Sequence, residues 1–193
     1  MSRKFRLSIL TAIILATVGG LLWLQSSGSQ SGKGYKAEAQ VYLEQGDLRA
    51  ARVAFMNATK ADPQDVQALL LQARVSLDLF DPSAALVSLN RAQTLGAFKA
   101  TTAHLWAHAH WLEGDLDAAE AALQNIDIPD GNKAYALRIA ARIAMDRGDL
   151  AKAQAYFDTA LKLAPKDSQL WTDLARLRFV QADQKAAIEA VDY

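Results

Sequence analysis

The sequence predicts an all-α protein, a solenoid of stacked helical hairpins preceded by one transmembrane helix. Three observations carry this. Shifted by 34 residues, the chain matches itself: Ala39, Ala73, Ala107, Ala141 and Ala175 fall in one column and Ala51, Ala85, Ala119, Ala153 and Ala187 in a second. Asp47, Asp81, Asp115, Asp149 and Asp183 form a third, and Gly46, Gly114 and Gly148 precede three of those aspartates. Residues 7–24, finally, hold no charge. Alanine is abundant and only 10 Gly and 4 Pro occur in 193 residues, a balance that favours helix over sheet.

Residues 1–6, with Arg3, Lys4 and Arg6, read as a basic cytoplasmic tail. The run from Leu7 to Leu24, LSILTAIILATVGGLLWL, spans roughly 27 Å as a helix, close to a bilayer core. Positive charge stays on the cytoplasmic side, which sends the rest of the chain across. Trp23 stands where an interfacial aromatic belongs. The run reads as a transmembrane signal anchor, 7–24. A cleaved signal peptide competes, against the length of the run and the lack of an A-x-A site. A soluble core helix would not explain the basic flank. The expected location is the bacterial inner membrane, single-pass, with the C-terminal body periplasmic. Residues 25–34 read as a flexible polar linker.

The body, 35–193, divides into about four and a half repeats: 33–64, 66–99, 100–133, 134–167 and 168–193. Each is a helix A, a Gly-Asp turn and a helix B. Glycine ends helix A in the left-handed conformation. The aspartate then accepts the free N–H groups of helix B. Phe80 replaces the glycine in the second repeat, where Asp81-Pro82 still makes a good helix start. Pro63 and Pro165 close helix B of the first and fourth repeats. The alanine columns let helices approach closely, and the larger column Phe55, Leu89, Leu123, Phe157, Val191 fills the space around them. One hairpin cannot bury such a face alone, so neighbours must stack. In the third repeat Pro129 shortens helix B, with a loop expected from about Ile126 to Gly131. The fifth repeat stops at Tyr193, partway through helix B. Two readings stay open there: a piece of a longer array, or a frayed last pair.

Tyr35, Ala39, Tyr42, Gly46, Ala51, Phe55, Ala58 and Pro63 in the first repeat carry a resemblance. So do Leu137, Ala141, Gly148, Ala153, Phe157, Ala160 and Pro165 in the fourth, and Trp171 and Ala175 in the fifth. From about residue 33 to 193 the chain resembles the tetratricopeptide-repeat (TPR) family. The resemblance implies a right-handed superhelix with a concave groove lined by helix A. One lining column reads Gln40, Arg74, His108, Arg142, Arg176. A second, one turn earlier, reads Lys36, Leu70, His104, Arg138, Thr172. A third, one turn later, reads Leu43, Leu77, Trp111, Met145, Phe179. The implied partner-binding groove is Lys36, Gln40, Arg74, Leu77, His104, His108, Trp111, Arg138, Arg142, Met145, Arg176 and Phe179. A basic column beside an apolar one suits a protein or peptide segment with acidic groups and apolar anchors. Against this, Arg74–Asp78 and Arg142–Asp146 are i,i+4 pairs that can neutralise each other on a solvated face. The apolar column can also pack under the next helix. The asparagine used by carboxylate-clamp members of the family is absent from the first column.

Zero formal net charge does not advertise a nucleic-acid binder. The lack of cysteine excludes disulfides, thiolate metal sites and cysteine catalysis. No nucleophile elbow, P-loop, dinucleotide fingerprint or H-E-x-x-H motif occurs, so no catalytic residue and no cofactor is expected. His104 and His108 have the spacing of helical zinc ligands, but no third ligand shares their face, and they read as groove residues, not a metal site. The repeat style resembles bacterial membrane-anchored envelope TPR proteins, those of exopolysaccharide export and exosortase-linked sorting foremost. Two classes of function follow. One is a scaffold mediating protein–protein interactions outside the cytoplasm. The other is the N-terminal regulatory or substrate-binding region of a longer enzyme, such as a glycosyltransferase. An oligomer formed through the uncapped last repeat is a further expectation.

Overall fold

The computed structural model describes residues 31–124 and 126–181. The tail at 1–6, the expected anchor at 7–24, the linker as far as Gln30, and Asp183, Ala187 and Val191 lie outside the described residues. Among those described every regular element is a helix, and none is long and apolar enough to cross a membrane. The chain divides into two compact units, residues 1–72 and 73–193.

In the first unit, α1 covers described residues 31–44 and α2 runs Leu48–Ala61; the unit also holds the start of α3, Val66–Asp78. The turn between α1 and α2 follows from its chemistry. Gly46 sits at φ 75°, and the Asp47 carboxylate accepts from the Ala50 N–H at 3.0 Å. Ala39, Ala51 and Phe55 are fully buried, so the small residues mark the close crossing and the phenyl ring fills the space beside it. The structure corrects the linker: residues 31–34 are helical. Glycine is a poor helix former, but Gly32 is buried where a Cβ would stand 3.2 Å from the Asp62 Cβ. Close packing on the end of α2 outweighs propensity there.

The second unit holds the rest of α3, then α4 (Pro82–Thr94), α5 (Lys99–Glu113), α6 (Leu116–Leu123), α7 (Asp130–Asp146), α8 (Leu150–Leu163) and α9 (Ser168–Val180). Asp81, Asp115 and Asp149 each cap a helix B, accepting from Ala84, Ala118 and Lys152 at 2.9–3.0 Å. Helix A packs on helix A, α5 against α7 and α7 against α9, and each helix B packs on the next helix A. Ala73, Ala107, Ala141, Ala85, Ala119 and Ala153 are all 0% exposed, which is what allows these helices to approach. Phe157 is 0% exposed in a core with Ala141, Ala153, Ala160, Leu170 and Leu177. The third hairpin departs from the others. Its helix B, α6, has 8 residues against 13 in α4 and 14 in α8. The following loop ends sooner than expected: Asp130 and Gly131 already belong to α7, which starts directly after Pro129. Asp130 suits a helix N-terminus electrostatically, and its carboxylate accepts from Lys133 at 2.7 Å. Beside the short α6 opens a pocket of about 370 Å³ whose lining includes Trp106, Ala118, Ala122 and Ile126 together with the polar Lys99 and His110.

Candidate partner-binding face

Helix A residues three or four apart share a face, and in the second unit this brings α3, α5 and α7 together around Tyr135, with α9 joined to α7 through Asp173. The Arg74 guanidinium lies 4.1 Å from the centre of the Tyr135 ring and that of Arg138 4.8 Å. His104 meets the ring edge-on at 5.1 Å, and His108 Nδ1 shares a hydrogen bond with the tyrosine hydroxyl. Below this, the Arg142 guanidinium lies 4.7 Å over Trp111, whose indole N–H donates to Asp146 at 2.7 Å. Arg142 also donates to both oxygens of Asp173, at 2.7 and 2.5 Å.

The expected neutralising pairs behave differently. Arg74 does donate to Asp78, four residues on, at 3.1 Å. Arg142 passes over Asp146 for Asp173 on the neighbouring helix, because a bidentate, nearly buried carboxylate holds a guanidinium more firmly than an exposed one. Leu77, His104, His108 and Arg138 are buried, so in this face they support the surface and do not form it. Arg74, Trp111, Arg142 and Met145 are half-buried, and Met145 packs on the Phe157 core. Arg176 and Phe179 stand exposed on α9. In the first unit Lys36 pairs with Asp65 at 2.6 Å and Gln40 is exposed.

Tyr135 and Asp173 are central here and escape the three columns. Asp173 had a signal: it stands in register with Ala37, Leu71, Leu105 and Ile139, a charge in an otherwise apolar column. Tyr135 had one too: it lies one turn before Arg138, in register with Lys33, Gln67, Thr101 and Gln169, an aromatic ring in an otherwise polar column.

Burial, and then the nearby arginines, push the pKa of His104 down to about 4 and that of His108 to about 3. Burial lifts the Tyr135 phenol to about 12 and holds Arg138 below the usual arginine range. Both imidazoles are therefore neutral in the folded protein, while in the unfolded chain they take up protons below about pH 6.5. The unfolded state then binds more protons than the folded one, so stability falls as the pH drops from about 6.5 toward 4, by up to about 1.4 kcal/mol per pH unit for each histidine. Urea titrations at pH 7.5 and 5 are expected to show this. Glutamine at both positions removes most of the loss between those values.

Phe80 is the conformational exception. It occupies the left-handed position, φ 59°, that glycine holds at Gly46, Gly114 and Gly148, and its ring is 72% exposed. The left-handed region costs a bulky L-residue about 1–2 kcal/mol, and little buried contact repays it. Phe80→Gly is expected to raise the stability of this unit by about 0.5–1 kcal/mol, after allowing for the greater chain entropy of glycine; a higher urea midpoint at unchanged slope checks it. Beside Phe80 opens a pocket of about 140 Å³ whose lining includes Leu77, His108, Arg138, Arg142 and Asp173.

Hairpins that recur every 34 residues, small residues at each crossing and a side-chain-rich helix A face define a helical-repeat protein of the scaffold class. The chain is built of tetratricopeptide repeats: residues 36–100 and 136–177 each match a family model described as Tetratricopeptide repeat. Among solved structures it is similar to PilW, a widely conserved type IV pilus biogenesis factor, at 20% identity and a TM-score of 0.60, over 84% of this chain and 76% of that one. It is similar to pilF of Pseudomonas aeruginosa at 16% identity and 0.59, over 86% and 77%. With the APC/C hetero-tetramer Cut9-Hcn1 the values are 18% and 0.66, over 98% of this chain and 36% of that one. At these identities the likeness is one of fold. No curated protein matches the chain.

Proposed function

We propose that this protein is a membrane-anchored scaffold that binds a protein segment outside the cytoplasm, along the helix A faces of its repeats. The segment carries acidic groups between apolar anchors. The observation that carries this is the rim of the second unit's face. There Arg176 and Phe179, one turn apart on α9, stand exposed, a cation next to an aromatic ring. Such pairs supply both charge complementarity and an anchor contact. The basic tail and the uncharged run at 7–24 support the single-pass anchor in a bacterial inner membrane with a periplasmic body. The repeat style supports a place in exopolysaccharide export or envelope protein sorting.

Crosslinking from membranes tests this reading, with wild type compared against Arg176→Glu combined with Phe179→Ser. Both positions are exposed, so the fold survives the change. The variant is expected to lose the proteins that wild type recovers. Identical recovery by the two would remove this face from binding. Protease treatment of spheroplasts is expected to cut the body without lysis, and protection there would reverse the topology.

A further inference from the structure

We infer that the pocket beside α6 binds a small amphiphilic anion, an alkyl chain ending in one carboxylate. The chain lies against Trp106 and the alanines of α6, and the carboxylate meets Lys99. This site is separate from the partner-binding face and does not rest on the scaffold reading. Trp106 is two residues from both His104 and His108, about 200° around the helix, so it belongs to the opposite side of α5. Among the described residues the walls come from α4 and the turn after it, from α5, from α6 and from Ile126.

The repeat register shows how this side differs from its neighbours. Ala92 and Ala160 hold matching positions inside α4 and α8, and both are 0% exposed. Ile126 holds that position in the third repeat, but α6 has already ended at Leu123, and the isoleucine is half-buried on the pocket wall. A volume of about 370 Å³ falls within the range of small-molecule sites, which combine apolar walls with a few polar groups. Ala118, Ala121 and Ala122 offer short apolar side chains, and Trp106 a half-buried ring. Burial of an alkyl chain on such surfaces needs no directional partner. Phe98, between the lining residues Ala97 and Lys99, is 78% exposed and adds bare apolar surface beside the mouth.

Charge selects the head group. Lys99 and His110 line the pocket, and among the described residues no carboxylate does. His110 already has Glu113 at 3.5 Å from its Nδ1. Lys99 is exposed at the start of α5, with no ion pair among the described residues. Phe98 gives that helix start no side-chain cap, so its positive end adds to the ammonium charge. The indole N–H groups of Trp111 and Trp171 donate to Asp146 and to the Pro165 carbonyl. That of Trp106 has no acceptor among the described residues, which leaves a second donor for an oxygen of the ligand.

The test uses the full chain in nanodiscs of zwitterionic lipid, labelled with 5-fluorotryptophan and read by fluorine NMR. Trp106→Phe assigns the Trp106 signal. Octanoate, octanol and octylammonium share one chain and differ in charge, and the free concentration of each is measured to correct for uptake by lipid. Octanoate is expected to shift the Trp106 signal saturably, with a Kd of about 1 mM, and to leave Trp111 unmoved. Octanol should bind at least about tenfold more weakly and octylammonium more weakly still. Lys99→Gln should reduce octanoate to the level of octanol, and Ala122→Leu, which fills the pocket, should abolish the shift. Position 99 is exposed, so the glutamine variant keeps the fold and judges the site even where Ala122→Leu unfolds the hairpin. Absence of a saturable shift at Trp106 overturns the pocket. Equal binding of the three probes, or octanoate unaffected by Lys99→Gln, overturns the carboxylate. A Trp106 shift on transfer to nanodiscs of anionic lipid, without octanoate, assigns the pocket to the membrane surface and overturns the free acid as its ligand.

Discussion

Asp173→Ala is expected to destabilise the second unit by about 3–5 kcal/mol, the cost of leaving a buried charge without its partner. Asp173 is 3% exposed, accepts from Nε and Nη2 of Arg142 and is the nearest carboxylate to Arg138. Its loss strands two guanidinium groups at once. The contrast with a double replacement is informative. Arg142→Met with Asp173→Leu removes both charges of the bidentate pair and fills a similar volume, so part of the stability should return, while Arg138 still lacks its nearest carboxylate. The check is the urea midpoint of each variant at pH 7 with the slope compared. A single-variant loss under about 1 kcal/mol would mean that the pair behaves as a screened surface contact.

Phe157→Ala is expected to cost about 3–5 kcal/mol as well, by a different route. The ring is fully buried in a core whose neighbours include Ala141, Ala144, Ala153 and Ala160. Alanine has no side-chain torsion with which to swing into a vacated space, so the hole stays largely open and the cost sits toward the upper end. Leu123→Ala, at the half-buried end of α6, is expected to cost clearly less. Thermal unfolding by calorimetry separates the two cases, and equal losses at the two positions would contradict the account.

These expectations show where the sequence was readable. The hairpins were legible because a solenoid repeats its solution: the aspartate caps, the glycine turns and the alanine crossings recur every 34 residues, and each is a local rule. The linker and the start of α7 were misplaced by a few residues, because tertiary contact at Gly32 and the cap at Pro129 decide the boundary and propensity does not. The face was legible as a list of columns and less so as a surface. Periodicity places Leu77, His104, His108 and Arg138 on the right side of their helices but does not say how deep they lie. Depth is set by neighbours such as Tyr135, whose bulk draws Arg74, Arg138 and two histidines around one ring. Choosing between Asp146 and Asp173 as the partner of Arg142 needs a distance between helices, which spacing along one helix cannot supply.

The short α6 has a consequence for how the array comes apart. Repeats of this kind hold together through their neighbours, so cooperativity is only as good as the thinnest joint. Among the described helices of the second unit, the two turns of α6 above a hollow make that joint. Amide hydrogens of α6 should exchange with solvent well before those of α5 and α7. Among the described residues of the second unit, a protease should then nick the native chain first between Gln124 and Pro129, as paper tears along a perforation.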